Sequence, residues 1–149
     1  FKRFTSDKKN YVDKIIILSR GPYSGISAAI VGEDEERWLE LSQVIRKSHE
    51  ITHFICRTLY PEDIDPIRDE VIADAIGIYA AYGRYDDKMA KTFLGIDGGR
   101  YVGGRLENYS ENPEQEVEIA CDVIDNCRDV IQKHQGIAAF ELIPFFSSY

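Results

Sequence analysis

Cysteine is scarce in this chain. Only Cys56, Cys121 and Cys127 occur in 149 residues, an odd number with no zinc-knuckle spacing. That excludes a disulfide-framed secreted module and points to reduced thiols in a cytoplasmic setting. Cys121 and Cys127 are six apart on an expected helix, so they share no face and no bridge between them is expected. Positive charge is also short: 18 Lys and Arg stand against 26 Asp and Glu, a net charge of −8. Nucleic acid and anionic membrane surfaces both demand a basic face, so neither is expected as a partner. Long apolar runs are missing. The longest stretches, 15–18 and 137–146, are too short or too interrupted to span a bilayer. The start carries no signal-peptide pattern, but it begins at Phe1 rather than Met, which leaves room for a longer polypeptide.

What remains is an ordinary globular composition, with 44% apolar and 30% charged residues. It fits one folded domain over residues 1–149. No internal repeat or low-complexity segment interrupts it.

Histidine is rare too, and its placement is informative. Of three in the chain, two fall in His49-Glu50-Ile51-Thr52-His53. This is H-E-x-x-H. On a helix, residues four apart lie one above the other, so two imidazoles there can bind one metal ion. Glu50 then sits at the edge of that face, placed to take a proton from an attacking water. The alternative is bland: two partly buried histidines bonded to backbone or carboxylate.

The surroundings supply the helix. Residues 35–59 repeat Trp38, Leu41, Val44, Ile45, Ile51, Phe54 and Ile55 near a 3.6 period. Acidic residues 33–36 crowd its first turn, where the dipole favours them. Pro61 stops it. Asp65-Pro66 opens a second helix with a capping carboxylate and a proline at its first position. That helix runs to about Tyr82, where Gly83 ends it. A connector this short predicts an antiparallel helix hairpin.

Elsewhere the expected elements are less regular. Residues 1–13 read as a short helix or an irregular lead-in. Residues 14–19 (KIIILS) read as a buried strand, and 26–31 (ISAAIV) as its hairpin partner across a 21–25 turn; the Ala-Ala pair suits a helix equally. Residues 86–94 read as a short helix. The glycine-rich stretch 95–104 reads as turns, without the pattern of a phosphate-binding loop. Residues 113–135 form an amphipathic helix. The apolar tail, 137–149, packs on the core or on a second copy of the chain as a homo-oligomer. The fold class is α+β, mainly helical, with a small N-terminal sheet on the helix hairpin.

A catalytic zinc site takes three protein ligands and leaves one position open. The second helix offers Glu70 and Asp74, four apart on one face. Antiparallel packing brings Glu70 to the metal. Asp74, one turn on, then bonds the far nitrogen of a ligating histidine and fixes its tautomer. Cys56, three after His53, is a rival ligand, though a small buried hydrophobe is the commoner role for such a residue.

H-E-x-x-H followed on the next helix by Glu70-Val71-Ile72-Ala73-Asp74 resembles the gluzincin group of zinc metallopeptidases. The resemblance covers residues 35–83. It implies a zincin-like domain with one Zn²⁺ per chain on His49, His53 and Glu70. Glu50 is then the general base, Asp74 supports a histidine, and the substrate is a peptide or protein. It also implies an edge strand for substrate, for which 26–31 is the candidate. Such enzymes often carry a downstream His or Tyr that steadies the oxyanion; Tyr101, Arg105, Tyr109 and His134 are the candidates. Two other expectations stand beside hydrolysis: a catalytically inactive metal-site module, and a metal-free helical interaction module.

Overall fold

The computed structural model describes residues 15–62 and 65–146. Its elements in order are α1 (Ala28–Val31), α2 (Glu35–Leu59), α3 (Pro66–Tyr82), α4 (Asp87–Leu94), β1 (Ile96–Asp97), β2 (Arg100–Tyr101), α5 (Pro113–Lys133) and α6 (Ile143–Phe146). Single 3₁₀ turns lie at Tyr23–Gly25, Arg105–Asn108 and Ala139–Leu142. The architecture is mostly helical with one small antiparallel sheet, which agrees with the coarse expectation.

The helix hairpin forms as its sequence dictates. Asp34 caps α2 by accepting from the Arg37 amide at 2.9 Å, with Glu35 and Glu36 in the first turn. Asp65 caps α3 through the Arg68 amide at 2.8 Å, and Pro66 takes the first position. Gly83 closes α3 in the left-handed conformation, at φ 67°. Residues 63–64 of the connector lie outside the described residues.

Helix α3 is apolar on nearly every side. Ile67, Val71, Ala75, Ile76 and Ile78 are all buried, so it is the central element. α2 packs on it from one side, with Ile45 against Gly77, and α5 also packs against it. The two long helices approach closely at Gly77, where a Cβ would stand 2.9 Å from the Ile45 carbonyl oxygen. From there Ile45 lies against Gly77, His49 against Asp74, and His53 against Asp69. That descending order is the signature of an antiparallel pair. It also carries Glu70 and Asp74 to the histidines.

The sheet is not where the sequence suggested. Residues 15–20 have no regular structure, and Ile15 and Ile17 are 80% and 89% exposed. The expected buried strand over 14–19 is therefore wrong where it is described; Lys14 lies outside the described residues. Its β-branched run meets no partner strand, because 26–31 contains the short helix α1, closed by Gly32 at φ 76°. With both members missing, the N-terminal hairpin does not form. The sheet instead joins β1 to β2, pairing Ile96 with Tyr101 and Asp97 with Arg100, inside the glycine-rich stretch. Gly95 and Gly104 touch backbone to backbone there: a Cβ on Gly95 would meet the Gly103 carbonyl oxygen at 2.4 Å. This closure aims the following turn, with Arg105, back at the helix hairpin.

The tail folds onto its own chain. Leu142, Ile143 and Phe146 are buried, and the Ala139–Leu142 turn lies on α3. Its last residues, 147–149, fall outside the described residues, as do residues 1–14, which include the expected lead-in over 1–13. The cysteines are free among the described residues, Cys121 and Cys127 included. Among those residues no helix is long and apolar enough to cross a membrane.

Candidate metal centre

Three groups converge between α2 and α3. His49 Nε2 and His53 Nε2 are 2.9 Å apart. The Glu70 carboxylate faces both, with Oε1 3.2 Å from His49 Nε2 and Oε2 3.4 Å from His53 Nε2. All three residues are buried, and their ligand atoms lie within 4.8 Å of one another. This is the only such group among the described residues.

Behind each imidazole stands a carboxylate. Asp74 Oδ1 is 2.9 Å from His49 Nδ1. Asp69 Oδ2 is 2.9 Å from His53 Nδ1, a bent contact that leaves this nitrogen without a straight hydrogen bond. An ionised carboxylate only accepts, so it draws the imidazole proton onto Nδ1. The lone pair of each ring is then on Nε2, pointing at the other ring and at Glu70. Three electron-rich atoms facing one another repel unless a proton or a metal ion sits among them.

The donor set fits zinc. Two imidazole nitrogens and one carboxylate oxygen are a known catalytic combination, and a carboxylate behind each ring is its usual support. The 2.9 Å between the nitrogens is a little under the tetrahedral edge of about 3.3 Å that zinc–nitrogen bonds imply. Cys56 is not in the converging group. Burial and Asp69 push its thiol up to about 11, which disfavours the thiolate a metal needs.

Asp74 is wholly buried and anchors a second layer. Tyr23 donates its hydroxyl to Asp74 Oδ1 at 2.6 Å and lies 2.8 Å from His49 Nδ1. Arg105 donates through Nη1 to the Tyr23 hydroxyl at 2.9 Å, and its Nη2 reaches both Asp74 Oδ2 and Glu70 Oε1. Burial alone would raise Asp74, but the Arg105 guanidinium and His49 outweigh it and hold the carboxyl below its ordinary range. Glu70 is likewise pulled down against burial, by His49, His53 and Arg105. Burial, then Asp74, raises Tyr23 well above the usual phenol value, so it remains a donor.

Without metal, protons take its place. Burial works against charge on both rings. Asp74 and Glu70 outweigh it at His49, and Asp69 and Glu70 do so at His53, which rises to about 9. A group whose folded pKa is raised stabilises the fold fully below its unfolded value and loses that contribution as pH rises through the folded one. The metal-free protein should therefore melt lower at pH 9 than at pH 6.5, by roughly 5 °C. A metal ion held there would have to displace these protons, so its affinity should climb across the same interval. Thermal melts in chelator check the first statement; a flat melting temperature would mean that the histidines fold neutral.

An open cleft of 560 Å³ exposes the centre. Glu50 lines it and is half-buried, beside the ligand face rather than on it. Of the residues suggested for the oxyanion, Arg105 and Tyr109 line the cleft. Tyr109 is raised by burial and then by the nearby Glu70 carboxylate, so it is a protonated donor beside Glu70. Arg105 instead serves the carboxylates. Tyr101 and His134 are elsewhere. Tyr101 bonds Gly104 and Glu107 near the surface, and His134 stacks on Phe145 at 3.8 Å between centroids.

Sequence reasoning missed Tyr23, Asp69 and Arg46, which also lines the cleft. Tyr23 lay in a stretch read only as a turn. Asp69, next to Glu70, had a readable signal: it is one residue from a proposed ligand on the same helix.

A family model matches residues 1–136. The chain belongs to DUF7005, a family of unknown function. No curated protein and no solved structure matches it. In this DUF7005 chain the groups able to do chemistry are the residues of the cleft.

Proposed function

We propose that this chain is a zinc-dependent hydrolase of amide or peptide bonds. The observation that carries the reading is the convergence of His49 Nε2, His53 Nε2 and Glu70, with Asp74 and Asp69 behind the rings. Those three side chains would hold the ion. When bound, zinc would polarise a scissile carbonyl and make water acidic enough to react near neutral pH. Glu50 takes a proton as the water oxygen attacks the carbonyl carbon. It returns that proton to the leaving amine as the carbon–nitrogen bond breaks. Tyr109 offers its hydroxyl to the carbonyl oxygen as negative charge develops there. Asp74, with Tyr23 and Arg105, keeps His49 in the tautomer that presents Nε2.

The substrate part of the reading narrows. The edge strand implied over 26–31 is a helix, so the cleft has no sheet edge there to hold a long extended peptide. A short amide suits the space better.

One observation favours a second reading. Glu70 already meets His49, His53 and Arg105, so a protonated network could close the site as a metal-free clamp on the helix hairpin. Elemental analysis separates the two. Protein purified without chelator or a metal-affinity column should carry about one zinc per chain. His49→Ala and Glu70→Ala should each lose it. A parent that stays empty after zinc is supplied would overturn the hydrolase and leave the helical module.

A further inference from the structure

The chain is acidic, with a net charge of −8, yet its cleft is lined by Arg46, Arg57 and Arg105 against Glu50 and Glu70. Arg105 is spent on Asp74 and Glu70. The other two are not. Arg46 donates through Nη1 to the Ser19 carbonyl at 3.1 Å. Its Nη2 donates to the carbonyls of Gly21 at 3.1 Å and Pro22 at 3.3 Å. These acceptors are neutral, and among the described residues no carboxylate comes within ion-pair range of Arg46. Its geometry is therefore fixed, its guanidinium lies 5.6 Å from the Tyr23 ring centroid, no carboxylate among the described residues offsets its charge, and three of a guanidinium's five N–H donors are used. Arg57 is 62% exposed at the rim, with Asp69 no nearer than 3.8 Å.

Their spacing relates them to the metal site. Arg46 is three residues before His49 and Arg57 four after His53, roughly 5 Å and 6 Å along the helix axis. Cations thus flank the histidines along the cleft. A pinned, half-buried guanidinium whose Nε–H and second Nη1–H are not used by these carbonyls, and with no carboxylate in ion-pair range among the described residues, is a preorganised donor to a carboxylate through charge-assisted hydrogen bonds. Along the helix axis the offset between Arg46 and His49 is thus a little more than about one residue's length of extended chain. The 560 Å³ cleft has the volume of a small-ligand site.

We infer that the cleft takes a short peptide or acylated amino acid by its free carboxylate, bound by Arg46 with Arg57 adding attraction at the rim. This rests on the zinc-hydrolase reading for turnover, but not for binding. The bond cut is then the one next to a chain end, and Arg46 is the residue that sets that preference.

The test compares an N-acylated dipeptide bearing a free carboxylate with the same compound amidated, on zinc-loaded protein. The parent should show a KM at least tenfold lower for the acid. Arg46→Gln should raise KM for the acid about tenfold and so bring the acid-to-amide KM ratio close to one. Arg46→Lys should recover part of the loss. Arg57→Gln should act a few-fold, and less at high salt. Equal KM values for acid and amide in the parent would overturn the inference; so would Arg46→Gln raising both alike. A second readout needs no zinc: N-acetylglycine titrated into metal-free protein should shift the Arg46 Nε–Hε NMR resonance, which is assigned by its loss in Arg46→Gln. If zinc fails to bind, a shift there upholds the anion site while the hydrolase falls. No shift sinks the anion site whatever the zinc content.

Discussion

Glu50→Gln should keep its zinc and lose turnover by about 10²- to 10⁴-fold, the usual contribution of a positioned base. The substitution preserves size and hydrogen-bonding capacity and removes only basicity. Zinc should stay because Glu50 is outside the converging group of His49, His53 and Glu70, and makes no contact with either imidazole's supporting carboxylate. Turnover should fall because Glu50 is the carboxylate of the cleft lining that no cation neutralises among the described residues, whereas Glu70 is held by two histidines and Arg105. A carboxylate that is already tied up cannot serve as a base. The check is zinc stoichiometry beside kcat for the amidated substrate, whose binding does not depend on Arg46. Unchanged kcat with full zinc would remove Glu50 from the chemistry and transfer the base role to another group. Loss of zinc would mean that Glu50 is a ligand instead.

The core of this site was legible because its determinants are local. His49 and His53 are one turn apart, as are Glu70 and Asp74, and helix periodicity fixes which residues share a face. The caps at Asp34 and Asp65 and the stop at Gly83 are equally local, and those helix limits agree with expectation. The antiparallel register then follows from one short connector. What was illegible depends on contacts far along the chain. Tyr23 reaches Asp74 across 51 residues, and Arg105 reaches Tyr23 across 82. Neither spacing leaves a trace in any window of sequence. The same limit misplaced the sheet. Ile15, Ile16 and Ile17 have the side chains of a buried strand, but a strand needs a partner, and local composition does not say whether one exists. Glycine told more than the apolar run did: the turn-rich stretch read as punctuation is where β1 and β2 pair and where Arg105 is aimed.

Arg105→Met should be the most damaging single change to the metal-free fold. The side chain is 19% exposed and compensates two carboxylates that are less exposed still, Asp74 at 1% and Glu70 at 7%. Methionine fills similar space without the charge, leaving those carboxylates buried with only the Tyr23 hydroxyl and the histidine protons to answer them. Removing one partner of a buried ion pair typically destabilises by about 3–5 kcal/mol. The pH dependence gives the sign. Asp74 and Glu70 have depressed folded pKa values, so their contribution is present above the unfolded carboxylate range near 4 and fades as pH falls through the folded values. The deficit of Arg105→Met should therefore be full at pH 7 and shrink toward pH 3, where protonation relieves the uncompensated charge. Zinc should narrow it as well, because a divalent ion on Glu70 replaces part of the lost cation. Urea unfolding of parent and variant at both pH values, each with chelator and with excess zinc, measures all of this at once. A deficit that ignores both pH and zinc would reduce Arg105 to a packing residue and detach the second layer from the metal centre. A deficit that yields to zinc alone would mean that Arg105 chiefly compensates Glu70, with Asp74 secured by Tyr23 and His49.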